Sequence, residues 1–163
     1  MCTKPSSSAC VKNAMEESGR VTPDIPETEL RIKKTESLLK SYNSPLWRYS
    51  RLLVTVSDKY NIPWTLIPAV SGVESGFCRT QPENSYNCWG WNNGRYSFNS
   101  YNQAINHISY KLKTDYLDKG LINPELISKK YAPGNKFWAQ YVRFFMKKLT
   151  SQPLDTDPLQ FTL

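Results

Sequence analysis

The acid best placed for chemistry is Glu74, which lies in the otherwise apolar or small-residue stretch VSGVESGFC over residues 70–78. Burying a carboxylate costs free energy unless the group is paired, protonated or used in catalysis. Apolar surroundings keep a carboxyl protonated to higher pH, and a protonated carboxyl at the wall of a cleft is what a general acid requires. The alternative is that Glu74 turns to solvent or pairs with Arg79. We therefore treat proton donation by Glu74 as the leading hypothesis.

The surrounding pattern places Glu74 where a helix meets a loop. Residues 64–75 are apolar nearly all round, which predicts a central buried helix, and Pro68 is tolerable only in or near its first turn. The negative end of that helix dipole would also disfavour ionisation of Glu74. Residues 76–100 are dense in Gly, Asn, Pro and Ser with aromatic residues between them, and WNNGRYSF predicts a turn joining two short extended pieces.

The rest of the chain predicts more helices and one folded domain. Helical spacing is found over residues 27–42, 44–60, 101–119, 124–130 and 136–150. We expect a mainly α fold with a small irregular or β-hairpin lobe after the helix that carries Glu74. Residues 1–26 are predicted to be a disordered tether, residues 27–150 the catalytic domain, and residues 151–163 a loosely ordered tail.

Composition narrows the choice of partners. The 163 residues include 21 Lys and Arg against 14 Asp and Glu, a net charge of +7, which favours nucleic acid, anionic lipid or a charged cell-wall polymer. No run of five basic residues, nucleic-acid motif or phosphate-binding Gly-rich loop is present, so nucleic acid and nucleotides have no support. No apolar run is long enough for a membrane span. Five Trp and ten Tyr could line a groove for ring-shaped ligands, including sugars.

Four cysteines and one histidine bear on location and metal binding. Cys78 and Cys88 bracket the polar loop, which favours a disulfide between them; two free thiols are the alternative. A disulfide would imply an extracytoplasmic location, whether secreted, periplasmic or at the cell surface. With His107 the single histidine, a Cys/His zinc site is disfavoured, and we expect a structural role for it. No signal peptide is seen, so export implies a signal that has been removed, and Cys2 could pair with Cys10 or be a lipid-anchor site.

Four short motifs follow one another along the chain: ESG at residues 74–76, NCWG at 87–90, YSFNSYNQAINHI at 96–108, and YA at 131–132. Over about residues 45–149 this order resembles the lysozyme superfamily, nearest the bacterial β-N-acetylglucosaminidase (autolysin) group. The resemblance implies an α+β lysozyme-like domain that cleaves the glycan of peptidoglycan. Lytic transglycosylases share the E-S core and the late tyrosine, but many carry a GLMQ-like run that this chain lacks. A muramidase of the same superfamily is a further alternative.

The resemblance also implies catalytic roles. Glu74 would protonate the leaving oxygen, and the hydroxyl of Tyr131 would orient an acetamido group or stabilise the transition state. Two-carboxylate hydrolases need a second acid about 5–5.5 Å away for retention or about 6.5–9.5 Å away for inversion. Glu83, the only acid between Ser75 and Asp115, is the candidate, although it could equally be a solvated loop residue. Without Glu83, substrate assistance or a single glutamate acting as acid and then base would be required.

Substrate contacts are expected from five residues of the loop region. Trp89 would stack on a sugar and Asn87 would hydrogen-bond to it, while Ser75, Tyr96 and Phe98 would complete the cleft. We expect no metal and no organic cofactor. The expected partners are peptidoglycan glycan strands and anionic wall polymers, bound by a monomer with no membrane span. A non-catalytic wall-binding module is the alternative from another functional class.

Overall fold

The computed structural model describes residues 25–154, and the predicted mainly helical fold is confirmed for them. No β-strand occurs within these residues. Residues 1–24 and 155–163, which hold Cys2, Cys10 and most of the predicted tether and tail, lie outside the described part. The helices are α1 Glu27–Ser41, α2 Ser50–Lys59, α3 Leu66–Ser75, α4 Tyr101–Asp115, α5 Pro124–Tyr131 and α6 Trp138–Ser151, with 3-10 turns at Pro45–Tyr49 and Leu117–Lys119.

Short polar side chains fix where several of these elements begin. The hydroxyl oxygen of Ser44 accepts a 3.1 Å hydrogen bond from the Leu46 N–H, and Asn123 Oδ1 accepts one of 2.9 Å from Leu126. A proline follows each cap at the first position, where its missing N–H has no partner to lose. Pro68 lies within the first turn of α3, because this helix begins at Leu66 rather than at residue 64.

Helix α3 is the centre of the core and packs most extensively against α6. Its residues from Leu66 to Gly72 are all buried. Gly72 is required for this packing, since an added Cβ would lie 2.7 Å from the Phe77 ring and 2.9 Å from the Phe145 ring. Phe77 thus folds back onto the helix that precedes it and packs into the core.

The predicted disulfide between Cys78 and Cys88 is present and pins the loop that follows α3. The chain leaves α3 through three consecutive residues with left-handed φ angles, namely Gly76 at 55°, Phe77 at 61° and Cys78 at 68°. Non-glycine residues rarely adopt this conformation, so the surrounding contacts must hold it. The disulfide does so together with Ser75, whose hydroxyl donates to the Cys88 carbonyl at 2.8 Å and accepts from the Cys78 N–H at 2.9 Å.

Of the two forms expected for the lobe within residues 76–100, irregular or β-hairpin, the structure shows the irregular one, and the hairpin is not confirmed. The lobe is irregular because the side chain of Asn87 takes the place of strand pairing. Its Nδ2 donates to the carbonyls of Trp91 at 2.9 Å and Tyr96 at 2.8 Å, while its Oδ1 accepts from the Trp91 N–H at 2.9 Å. Asn92, Asn93 and Gly94 then turn the chain in the left-handed region.

No helix in residues 25–154 is both long enough and apolar enough to cross a membrane.

Candidate functional site

Glu74 lies in the last turn of α3, and its side chain is partly buried. Its Oε1 accepts a 2.6 Å hydrogen bond from the indole N–H of Trp138, at the start of α6. Burial raises the pKa of the Glu74 carboxyl, and the Trp138 hydrogen bond opposes part of that rise because it favours the charged form. The alternative in which Glu74 pairs with Arg79 is not supported, because no such pair occurs among the ion pairs of the described residues.

Gly90 brings the loop backbone directly against this carboxyl. An added Cβ at Gly90 would lie 2.6 Å from Glu74 Oε2, closer than real Cβ contacts allow. Gly90 also has a φ of +61°, a conformation that costs side-chain-bearing residues about 1–2 kcal/mol. Two independent constraints therefore require glycine here, and both serve the close approach of loop and acid.

Tyr131, at the end of α5, is the second predicted catalytic residue that the fold places beside Glu74. Its hydroxyl donates a 2.5 Å hydrogen bond to the carbonyl of Trp89, and its ring centroid lies 5.2 Å from that of Trp138. Burial, and then the nearby Glu74 charge, raise the pKa of Tyr131 well above its usual range. Tyr131 therefore stays protonated and is not suited to act as a base, and its one hydroxyl proton is used by the Trp89 carbonyl.

An open cleft of about 450 Å³ borders this group at Gly90, within the size range of small-molecule sites. It lies between the loop and the ends of α4 and α5. The carboxyl of Glu74 is next to Gly90 at the edge of the cleft rather than among its lining residues. Those lining residues are mostly aromatic rings and amides: Gly90, Trp91, Asn92, Asn93, Tyr96, Tyr116, Lys130 and Tyr131.

Four of the five residues predicted to contact substrate are buried, so their side chains cannot stack on a ligand or hydrogen-bond to it. Ser75, Asn87, Trp89 and Phe98 are each less than 5% exposed. Trp89 is a core residue whose indole N–H donates to the Ile67 carbonyl at 2.9 Å. The hydrogen bonds of Ser75 and Asn87 are used to fix the loop. Tyr96 differs from these four, since it is 39% exposed and lines the cleft.

Glu83, the predicted second carboxylate, lies in an exposed turn between Pro82 and Ser85. The Ser85 N–H closes this turn on the Pro82 carbonyl at 3.1 Å. No described hydrogen bond or ion pair joins Glu83 to Glu74, and Glu83 does not line the cleft. Its catalytic role stays a prediction that the fold does not favour.

His107 supports the loop side of the cleft, in keeping with the structural role expected for it. Its ring stacks on Tyr96 at a centroid distance of 5.7 Å and meets the edge of Trp91 at 5.8 Å and the Phe98 ring at 5.4 Å. Burial, and then the charge of Lys111, lower the pKa of His107. A neutral imidazole therefore packs behind the two cleft rings.

Sequence reasoning missed seven residues of the site: Gly90, Trp91, Asn92, Asn93, Tyr116, Lys130 and Trp138. Trp91 lies two positions after Trp89, and no local pattern shows which of the two indoles is the buried one. Trp138 is separated from Glu74 by 64 residues, so only the packing of α3 on α6 reveals their contact. Tyr116 and Lys130 meet at the ends of two different helices, where helical periodicity carries no information about contact.

Within residues 25–154, no cluster of three or more His, Cys, Asp and Glu side chains could hold a metal ion.

Comparison with known proteins adds no family to this description. No protein-family model, curated protein or solved structure matches the chain.

Proposed function

We propose that this protein is a glycosidase that cleaves the glycan strands of peptidoglycan, with Glu74 as its general acid. The observation that carries the proposal is the partly buried Glu74 carboxyl, bound by the Trp138 indole and bordering an aromatic cleft at Gly90. Burial keeps such a carboxyl protonated to higher pH, as in known glycosidase acids. Aromatic rings and amide groups are suited to sugar rings and their acetamido substituents.

In the reaction, the protonated Glu74 donates its proton to the glycosidic oxygen as the bond from the sugar C1 to that oxygen breaks. The bonding electron pair leaves with the oxygen, and positive charge develops on the remaining sugar ring. The Trp138 N–H then stabilises the carboxylate that Glu74 has become. This carboxylate can accept a proton from the group that attacks C1, which returns the acid to its starting state.

The attacking group is best supplied by the substrate, because no Asp or Glu is among the described residues that line the cleft. For a bond that follows N-acetylglucosamine, the acetamido oxygen of that sugar can attack C1 and form a ring. Water then attacks C1, the new bond from C1 to the acetamido oxygen breaks, and the water gives its proton to the Glu74 carboxylate. This gives endo-β-N-acetylglucosaminidase activity, the primary candidate.

A lytic transglycosylase is the second candidate, and the observation that favours it is the single carboxyl of the site. There the 6-hydroxyl of the muramyl sugar attacks its own C1 and gives up its proton to Glu74, so that one glutamate acts first as acid and then as base. The product carries a 1,6-anhydro ring instead of a reducing end.

Location and charge agree with a wall substrate. The Cys78–Cys88 disulfide is typical of oxidising compartments, which supports an extracytoplasmic site of action. The net charge of +7 favours attraction to anionic wall polymers.

The test is mass spectrometry of the soluble fragments released from purified peptidoglycan by the wild type and by Glu74→Gln. We expect wild-type fragments with reducing N-acetylglucosamine ends, and a loss of about 10²–10⁴-fold in the variant. Anhydro-muramyl ends would assign the transglycosylase reaction, and reducing muramic acid ends a muramidase. If neither protein releases fragments while both pellet with the wall, the protein is a binding module and the proposal is wrong.

A further inference from the structure

Lys130 carries the one charged side chain among the described residues that line the cleft. It lies in the last turn of α5, and the end of α4 fixes its position. Its Nζ donates a 2.9 Å hydrogen bond to the backbone carbonyl of Asp115 and lies 4.6 Å from the centroid of the Tyr116 ring. An ammonium has three N–H donors, so two remain for a ligand after the bond to Asp115.

Lys130 forms no ion pair with any residue of 25–154. The carboxylate of Asp115, its nearest acidic neighbour along α4, pairs with Lys111 at 3.1 Å. The hydrogen bond with Lys111 is the main cause of the lowered pKa of Asp115, and the charge of Lys130 contributes to it without forming an ion pair. The other residues that line the cleft are glycine, amides and aromatic rings, none of which carries a negative charge. The cleft is therefore electrostatically matched to a ligand that bears an anionic group.

We propose that Lys130 binds a carboxylate carried by the glycan, so that the cleft favours an anionic sugar chain over a neutral one. This inference rests on the proposed function. In peptidoglycan, every second sugar carries a lactyl ether whose carboxyl is either free or joined to a stem peptide that has carboxylates of its own. Either source offers the same chemistry to a lysine, which binds carboxylate as a point charge. Oligomers of N-acetylglucosamine alone offer no such group.

Lys129 provides a matched control for this role. A cation near a helix C-terminus is stabilising in any case, so loss of the Lys130 charge could act through α5 rather than through a ligand. Lys129 lies in the same last turn of α5 and is exposed, but it does not line the cleft. Lys129→Gln removes the same charge from the same helix end and leaves the cleft lining intact.

The experiment is isothermal titration calorimetry on the full chain with Glu74→Gln, which prevents turnover, alone and combined with Lys130→Gln or Lys129→Gln. Four glycan oligomers of equal length serve as probes: peptide-free with lactyl carboxylates, the same with those carboxyls converted to neutral amides, peptide-bearing, and N-acetylglucosamine alone. We expect Lys130→Gln to weaken binding of a carboxylate-bearing oligomer about three- to tenfold. Binding of the two neutral oligomers should not change, and Lys129→Gln should match the parent throughout.

The pattern of losses identifies the carboxylate. A loss confined to the peptide-free oligomer assigns the lactyl carboxylate, and a loss confined to the peptide-bearing oligomer assigns a stem carboxylate. Equal affinities for all four oligomers in every variant, or equal losses with Lys129→Gln, would overturn the role of Lys130 and leave the proposed glycosidase function standing. If no oligomer binds to the parent, both the function and the inference are wrong.

Discussion

The two sides of the cleft are built in different ways. The helical side presents Glu74, Trp138 and Tyr131, which are held by the packing of α3, α5 and α6 in the apolar core. The loop side, residues 90–96, is held by the amide of Asn87, the disulfide and the aromatic packing around His107. All the ionisable groups of the site except Tyr96 belong to the helical side. Under the proposed function, the helical side holds the acid, and both sides contribute residues to the cleft that would bind the sugar.

Among variants that leave Glu74 itself in place, Gly90→Ala should have the largest effect, because Gly90 is the point where the two sides touch. The new methyl group would force Glu74 Oε2 away from its position, so we expect kcat to fall at least about tenfold. Gly94→Ala is the matched control, since Gly94 has a φ of +75° but no atom within 4 Å of an added Cβ. Thermal unfolding should show a loss of about 1–2 kcal/mol for Gly94→Ala and a larger loss for Gly90→Ala, whose methyl group also clashes with Glu74, but only Gly90→Ala should lose activity. Equal losses of activity would show that loop strain, not the contact with the acid, controls catalysis.

A smaller effect, confined to the loop side, is expected for Asn87→Ala. It removes three hydrogen bonds that hold Trp91 and Tyr96 in place, which should destabilise the fold by about 2 kcal/mol. Steady-state kinetics should show a raised KM with kcat little changed, because Glu74 keeps its partner on the helical side. A fall in kcat at unchanged KM would contradict this division between the two sides.

On the helical side, Trp138→Phe should shift the pH dependence of activity. It deletes the indole N–H that favours the charged form of Glu74, so the pKa of the carboxyl should rise further. A general acid works only while protonated, and the alkaline limb of kcat/KM should therefore move to higher pH. Trp47→Phe, in the 3-10 turn before α2, is the control and should leave the pH profile unchanged. A shift to lower pH would contradict the assigned effect of the hydrogen bond.

The smallest effect concerns stability. Because the pKa of Glu74 is raised in the folded state, the folded protein holds this proton more tightly than the unfolded chain. The contribution of Glu74 to stability is therefore fully present below its ordinary pKa of 4.5 and is lost as the pH rises from there through the raised pKa. Glu74→Gln removes this loss, so its melting temperature should exceed that of the wild type at neutral pH and approach it near pH 4. A variant less stable than the wild type at neutral pH would show that Glu74 is stabilising as a carboxylate.

The sequence predicts the helical side far better than the loop side, for a physical reason. Helical periodicity, the Ser44 and Asn123 caps and the apolar run before Glu74 are local signals, and the predicted helices follow them to within a few residues. Trp89 and Phe98 were expected in the cleft but lie in the core, because the orientation of an irregular loop depends on distant contacts such as that of Asn87 with Tyr96. The contact of Trp138 with Glu74 is likewise set by the packing of α3 on α6, so it cannot be predicted from the spacing of residues within either helix.

The measurement that tests the central claim most directly is the titration of the Glu74 carboxyl by ¹³C NMR, with Glu74→Gln used to assign its signal. We expect its pKa to lie above 4.5 and to coincide with the alkaline limb of kcat/KM on peptidoglycan fragments. A Glu74 pKa at or below 4.5, or an alkaline limb that persists in Glu74→Gln, would show that Glu74 is not the general acid.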